Sequence, residues 1–202
     1  MDILLASNNQ HKLKELETLF APHKLHTPEE FGIEFEVEEN GDTFSDNAFI
    51  KARALRKVSG HLNMPVLADD SGLLVKALPG LLGVKTARFG SENGGPVLPA
   101  AEKNALLLEM LKDRDDRSAC FVTNLVIIFP DNSVLTSEGR APGYILNEPT
   151  GQGGFGYDPV FFNTEANMPG GLMTTAQKNQ FGHRGKAARL LLQQIERHLN
   201  AV

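Results

Sequence analysis

The run "ACFVTNLVIIFPDNSVLTSEGRAPGYIL" at 119–146 constrains the fold more than any other stretch of this chain. Each half is rich in β-branched and aromatic residues and is typical of a long strand. The halves meet at Pro130–Asn132, where proline, aspartate and asparagine favour a tight turn. Strands joined by so short a turn run antiparallel, so the segment predicts a hairpin and excludes a purely parallel sheet.

Helical patterns alternate with the strands elsewhere in the chain. "DILLA" at 2–6 predicts a short buried strand, and "HKLKELETLF" at 11–20 carries leucines at helical spacing. Thr43 followed by Asp46 predicts a capping box for a second helix that ends near Gly60. The predicted buried stripe of that helix is Phe44, Ala48, Ala52 and Leu55. Asn47 and Lys51 lie four residues apart, so they share another face of it.

Three later segments complete the expected architecture. "MPVLADDSGLLV" at 64–75 is interpreted as a strand broken by a polar turn, and 100–113 and 185–199 as amphipathic helices. The glycine- and proline-rich segment 90–100 is expected to be flexible. The sequence therefore predicts an α/β protein with a mixed sheet flanked by helices, and its 202 residues favour one domain.

Composition excludes several classes of function. The net charge is −5 with no block of basic residues, which argues against long nucleic acid as a partner. No apolar run approaches the roughly 20 residues that a membrane span requires, and no signal-peptide pattern is present. The single cysteine, Cys120, excludes an intrachain disulfide. We therefore expect a cytoplasmic protein.

The turn "SNNQHK" at 7–12 is the first candidate binding segment. Backbone amides at a helix N-terminus carry partial positive charge and attract phosphate, and Ser7, Asn9 and Lys12 would complete such a cradle. Serine and asparagine also cap helices without any ligand, so the pattern alone leaves both readings open.

The acidic pair in "LADDSG" is the second candidate. Asp69 and Asp70 repel one another unless a cation or donor compensates them, and in an extended strand they point to opposite sides. Glu38 and Glu39 offer further oxygen ligands of the kind that Mg²⁺ prefers. The alternatives are an Asp-Ser-Gly turn and a solvated acidic loop.

Two later segments carry further candidate groups. "GGFGYDP" offers Phe155 and Tyr157 as stacking faces for a base and Asp158 as an acceptor, unless its aromatics belong to the core. "QKNQFGHRG" gathers the cationic or donor side chains of Lys178, His183 and Arg184, unless it is an ordinary charged loop.

Taken together, five segments resemble one family. "LASNNQHKLKEL", "ENGDTFSDNAFIKAR", "LADDSGL", "GGFGYDPVFF" and "HRGKA" stand in the order and approximate spacing of the inosine/xanthosine triphosphate pyrophosphatases. The resemblance covers nearly the whole chain. It implies a homodimer, each chain an elongated mixed sheet in two lobes with a central cleft. It also implies Mg²⁺-dependent hydrolysis of deviant purine nucleoside triphosphates to the monophosphate and pyrophosphate.

The same resemblance implies a role for each matching residue. The phosphate-binding turn comprises Ser7, Asn8, Asn9, Gln10, His11 and Lys12. Lys51 is a second phosphate cation, Glu39 and Asp70 are metal ligands, and Asp69 supports them. Asp70 is also the expected base. The remaining nucleotide contacts are Ser71, Phe155, Gly156, Tyr157, Asp158, Lys178, His183 and Arg184. A donor from His183 or Arg184 to the 6-keto oxygen would reject adenine.

The chain departs from the family pattern at a few positions. Leu82, Lys85 and Thr86 interrupt the usual run before Arg88, Gly182 replaces a serine, and Gln177 replaces a glutamate. Two other functions compete with the pyrophosphatase. One is a Maf-like pyrophosphatase for pyrimidine or methylated nucleotides, whose proline-arginine-arginine signature "SNNQHK" lacks. The other is a nucleotide sensor without turnover.

Overall fold

A single mixed sheet organises the chain in a computed structural model that describes residues 1–7, 9–91 and 95–200. Within those ranges the strands are β1 Asp2–Leu5, β2 Lys24–His26, β3 Val66–Val75, β4 Ser118–Ile128, β5 Val134–Ile145, β6 Phe161–Asn163 and β7 Met168–Pro169. The helices are α1 Gln10–Phe20, α2 Phe44–Ser59, α3 Ala100–Met110, α4 Thr175–Phe181 and α5 His183–Asn200. No helix in these ranges combines the length and the apolarity that crossing a bilayer requires.

The sheet order is β2-β1-β3-β4-β5-β6-β7. β1 runs parallel to β2 and β3, with Leu4 opposite Val66, whereas β6 is antiparallel to both β5 and β7. β4 and β5 are neighbours joined by a tight turn, in which the Asn132 amide donates to the Phe129 carbonyl. The predicted mixed α/β sheet flanked by helices is therefore confirmed, and the hairpin explains why it is mixed.

The chain divides into two compact units, the first formed by Met1–Asp70, Thr123–Gly139 and Arg184–Val202. Side chains of its strands alternate between two apolar clusters, as the period of two in a strand requires. One cluster joins strand residues such as Ile3 and Leu67 to α1 and α5. The other joins strand residues such as Leu4 and Val66 to α2. Helices thus cover both faces of the sheet in this unit.

The second unit comprises Ser71–Val122 and Arg140–His183. Its core packs the ends of β3, β4 and β5 against α3 and the segment around 157–161. Leu107 of α3 and Ile145 of β5 are fully buried there. The predicted central cleft, and the grouping of all residues as one domain, stay predictions.

The structure confirms some of the predictions of local structure and contradicts others. The capping box of Thr43 and Asp46 and the buried stripe of α2 are confirmed. The predicted polar break in 64–75 is wrong, because β3 runs unbroken through its carboxylates, whose partners lie beside the strand. The alternative interpretation of the segment before the last helix as an ordinary charged loop is also wrong. Thr174 and Gln177 form a capping box that starts α4. Of the segment expected to be flexible, 92–94 lies outside the described residues.

Candidate active site

The turn after β1 closes on itself through side chains. Asn9 caps α1, and its Oδ1 accepts from the backbone amides of His11 and Lys12 at 3.0 and 3.2 Å. The Ser7 hydroxyl accepts from the Asn9 amide at 3.2 Å. The amides expected to face phosphate therefore have a side-chain acceptor here, which a bound anion would have to replace. Asn8 lies outside the described residues, and Gln10 begins the helix on the exposed side.

Asp69 anchors a group of four charges in the first unit, of which Asp69 and Arg184 are buried. Lys12 Nζ lies 2.6 Å from Asp69 Oδ2, and Arg184 Nε lies 3.5 Å from Oδ1. Arg184, itself buried, also forms a salt bridge with Glu15. Burial alone would favour the neutral acid, but Lys12 and then Arg184 outweigh it and hold the pKa of Asp69 well below its usual range. Asp69 is therefore a fixed anion that orients two cations.

Asp70, the next residue of β3, belongs to a second charged group. Lys51 Nζ of α2 lies 3.1 Å from Asp70 Oδ1 and 2.8 Å from Glu39 Oε2. Burial raises the pKa of Asp70, and the charges of Asp69 and Glu39 add to this rise against the opposing effect of Lys51 and Lys12. For Lys51, burial lowers the pKa, but the Asp70 and Glu39 carboxylates outweigh it and raise the pKa. Asp70 thus takes a proton more readily than Asp69 does, as a base must.

The same carboxylates bear on metal binding. Glu39 and Asp70 share one ammonium group, so their oxygens converge on a single point that a cation already occupies. Among the described residues, no three histidine, cysteine, aspartate or glutamate side chains are grouped to hold a metal. Mg²⁺ commonly takes one or two carboxylates and fills its other positions with water and phosphate oxygens. This donor set therefore fits Mg²⁺.

A separate charged pair lies in the second unit. Asp158 Oδ2 accepts from Lys178 Nζ at 2.5 Å and from the Phe155 amide at 2.9 Å. Gly154 adopts φ +77°, and a Cβ there would lie 2.1 Å from both Asp158 Oδ2 and Lys178 Nζ. Any other residue would be strained at this positive φ, and its Cβ would force the charged pair to shift. The loop therefore fixes Lys178 and Asp158 together.

The other predicted nucleotide contacts of this unit differ in exposure. Tyr157 is buried against Phe89, and its hydroxyl donates to the Thr86 carbonyl at 3.0 Å, so its ring belongs to the core. Phe155 and Ser71 are half-buried. His183 stacks on Phe121 with ring centroids 4.8 Å apart. Its predicted base contact would have to use the ring edge or the other face.

Some residues that contact the predicted site residues are not indicated by any pattern in the sequence. Glu15 gave no signal because its partner, Arg184, lies 169 positions away. Asn47 was placed beside Lys51 by helical spacing, yet its contact with Asp70 was not foreseen. The side-chain amide of Asn104 donates to the Gly156 carbonyl at 3.1 Å, but no pattern within its predicted helix distinguishes this residue.

Departures from the family pattern find local explanations in the structure. The Thr86 hydroxyl accepts from the Leu73 amide and donates to the Gly83 carbonyl. Gln177 accepts from the Thr174 amide in the α4 capping box, as a glutamate would. At Gly182 a Cβ would lie 2.5 Å from the Lys178 carbonyl, so a serine there requires a shifted backbone.

The fold and these contacts define an α/β protein with two lysines set against adjacent strand carboxylates, an arrangement suited to binding a polyphosphate with a metal ion. The chain belongs to the Ham1 family, whose sequence model matches residues 3–194. This confirms the resemblance found in the sequence.

Curated relatives and solved structures agree with that assignment. A dITP/XTP pyrophosphatase of Treponema denticola is 43% identical over 93% of this chain and 94% of its own length. One from Streptococcus pyogenes serotype M1 is 42% identical over 95% of the chain, which spans 58% of that protein. The Ham1 protein of Staphylococcus aureus has a TM-score of 0.85 and 34% identity, covering 98% of this chain and 100% of the other.

Proposed function

We propose that this protein hydrolyses the deviant purine nucleoside triphosphates ITP, dITP and XTP to the monophosphate and pyrophosphate. The observation that carries the proposal is the pairing of Lys12 with Asp69 and of Lys51 with Asp70, on consecutive residues of β3. A triphosphate brings about four negative charges, and these lysines can offset part of them. Relatives over nearly the whole chain are named dITP/XTP pyrophosphatases, which supports this substrate class.

Mg²⁺ is the proposed cofactor, held by Glu39 and Asp70. When bound, it neutralises phosphate charge and polarises the bond that breaks. Lys51 contacts both carboxylates, so it would hold them in position for the ion and place its positive charge beside the bound phosphate.

Asp70 is the proposed general base. One carboxylate oxygen takes a proton from water, whose oxygen then bonds to the α-phosphorus. The bond from the α-phosphorus to the bridging oxygen breaks, and its electron pair leaves with pyrophosphate. Lys12 and Lys51 stabilise the charge that grows on the phosphate oxygens. The raised pKa of Asp70, caused first by its burial, favours this proton transfer.

The turn Ser7 to Lys12 is proposed to bind phosphate. Ser71, Lys178, and Phe155 to Asp158 are proposed to contact the nucleoside, with the half-buried Phe155 as the stacking face in place of the buried Tyr157. A donor from His183 or Arg184 to the 6-keto oxygen would leave adenine unmatched. Arg184 contacts Glu15 and Asp69, and His183 stacks on Phe121, so both proposed donors also have protein partners. The homodimer and the cytoplasmic location are proposed as well.

One assay tests the reaction. The purified protein is incubated with Mg²⁺ and, separately, ITP, XTP, GTP, ATP and dTTP, and the phosphate product is identified. We expect pyrophosphate, chiefly from ITP and XTP. Orthophosphate would overturn the cleavage site, preference for dTTP would favour the Maf-like function, and binding without turnover would favour a sensor. Omission of Mg²⁺ and replacement by Mn²⁺ or Ca²⁺ test the cofactor.

A further inference from the structure

The side chain of Asn47, in α2, contacts both Asp70 and the segment that precedes α2. It is 1% exposed, and its Oδ1 accepts from the Gly41 amide at 2.8 Å. Its Nδ2 donates to Asp70 Oδ2 at 3.4 Å. A buried carboxamide with both ends engaged has one rotamer and one orientation open to it, because reversing the amide would leave buried groups unpaired. Asn47 therefore links the segment before α2 to β3.

Gly41 shows how tightly that segment is held. A Cβ at this position would lie 2.6 Å from Asp46 Cβ, 2.8 Å from Asn47 Oδ1 and 3.0 Å from the Asn47 amide nitrogen. The absence of a side chain lets the segment pass directly over the first turn of α2. Glu39 stands two residues earlier on this segment, where its carboxylate contacts Lys51.

We propose that Asn47 is a positioning residue that fixes the distance and orientation between Glu39 and Asp70. Asp70 is held at both oxygens, by Lys51 at Oδ1 and by Asn47 at Oδ2, so its carboxylate plane is fixed. The Glu39 carboxylate is held by Lys51, and the backbone near Glu39 is held by the hydrogen bond from the Gly41 amide to Asn47. The catalytic consequence rests on the proposed function, whereas the structural link does not.

The link between Gly41 and Asn47 can be measured directly, without metal or substrate. In Asn47→Ala the Gly41 amide loses its acceptor, so its hydrogen exchange, followed by NMR, should accelerate at least about tenfold. Ser137→Ala is the matched control, since it removes another buried hydrogen bond of the same unit, from the Ser137 hydroxyl to the Ala187 carbonyl. Unchanged Gly41 exchange in Asn47→Ala would overturn the link.

The functional readouts are Mn²⁺ affinity and steady-state kinetics with ITP. Misplaced ligands should weaken Mn²⁺ binding, measured by EPR on the substrate-free protein, by about 10–100-fold. In Asn47→Ala we expect kcat to fall by a similar factor and KM to change by less than about threefold, because only the positions of the base and metal ligands are disturbed. Wild-type Mn²⁺ affinity together with wild-type kcat would overturn the positioning role.

Gly41→Ala is the second variant, and it decides the question if Asn47→Ala does not fold. It displaces the Glu39 segment from Asn47 Oδ1, which is the link under test, and keeps the side chains of Asn47, Lys51 and Asp70 themselves. Weaker Mn²⁺ binding with a wild-type melting curve supports the proposal, and unchanged binding contradicts it. Absence of pyrophosphate release by the wild-type protein would overturn the proposed function, while exchange and Mn²⁺ binding would still decide the role of Asn47.

Discussion

Lys12 Nζ lies 2.6 Å from Oδ2 of Asp69, a carboxylate with no exposed surface. The neighbouring carboxylate, on Asp70, instead pairs with Lys51 from a different helix. The alternation of side chains along β3 thus pairs each acid with a different lysine. One acid is locked as an anion and the other keeps a raised pKa, so two adjacent aspartates have different chemistry.

Removing the Asp69 charge should destabilise the protein strongly. In Asp69→Asn the buried Arg184 and the largely buried Lys12 lose an anionic partner, and breaking a buried pair in this way typically costs about 3–5 kcal/mol. Urea unfolding monitored by circular dichroism measures the loss. Asp116→Asn breaks the exposed pair with Lys76 and should change little. Equal effects of the two substitutions would contradict this assignment.

The acid stability of the wild type should also depend on Asp69. Its pKa is lowered by folding, so it contributes stability above its ordinary value of 3.8. That contribution is lost as the pH falls from there toward the folded pKa. Unfolding free energies of the wild type and Asp69→Asn should therefore converge as the pH is lowered below 3.8. A constant difference between pH 7 and pH 2 would exclude this linkage.

Asp70→Asn should separate binding from turnover. The amide keeps the size of the carboxylate but neither accepts a proton nor binds a metal well. We expect nucleotide affinity to stay within about an order of magnitude while kcat falls by about 10²-fold or more. Pyrophosphate release and equilibrium binding of ITP measure the two quantities. Near-normal turnover would move the base role to another residue.

Gly154→Ala should weaken nucleotide binding through the Lys178–Asp158 pair. A methyl group there meets both charged atoms and so displaces two side chains proposed to contact the nucleotide, and losing one such charged hydrogen bond to the substrate costs about 1.5–3 kcal/mol, or at least about tenfold in KM for ITP. Gly80→Ala is the control, because Gly80 has a similar φ of +75° with nothing within 4 Å of a Cβ. Both variants should show the strain of a left-handed alanine, but only the first should raise KM.

His26 should make stability depend on pH near neutrality. Its Nε2 and Nδ1 each lie 2.9 Å from a carboxylate oxygen, of Asp2 and Glu30 respectively. The bonds to Asp2 and then Glu30 raise the pKa of His26 above its ordinary 6.5. The contribution is thus complete below pH 6.5 and is lost as the pH rises through the folded pKa. Melting temperatures from pH 5 to 9 should show this fall in the wild type and in the control His61→Gln, which replaces an exposed histidine, but not in His26→Gln.

Short-range patterns predicted much of the fold. The capping box of Thr43 and Asp46, the apolar stripe of α2 and the hairpin turn depend on residues within a few positions of one another. The same spacing placed Asn47 and Lys51 on one face. β3 was misread because aspartate, serine and glycine favour turns in isolation, whereas here distant lysines satisfy the carboxylates.

Contacts that join distant segments set the limits of prediction for the candidate site. The Glu15–Arg184 pair and the Asn47–Asp70 contact arise only after folding, so no local pattern reports them. The burial of Tyr157 likewise depends on Thr86 and Phe89 across the second unit. A motif names the residue types of a site, while the packing around each side chain decides which atoms remain for a ligand.

The interleaved path of the chain has a consequence for biosynthesis. Ile3 and Leu5 of β1 share their cluster with Ala187 and Leu191 of α5, which the ribosome makes about 180 residues later. That apolar face of the amino-terminal strand is therefore covered only in part, by α1, until α5 emerges from the exit tunnel. During that interval the nascent chain should be a substrate for chaperones that shield exposed strands.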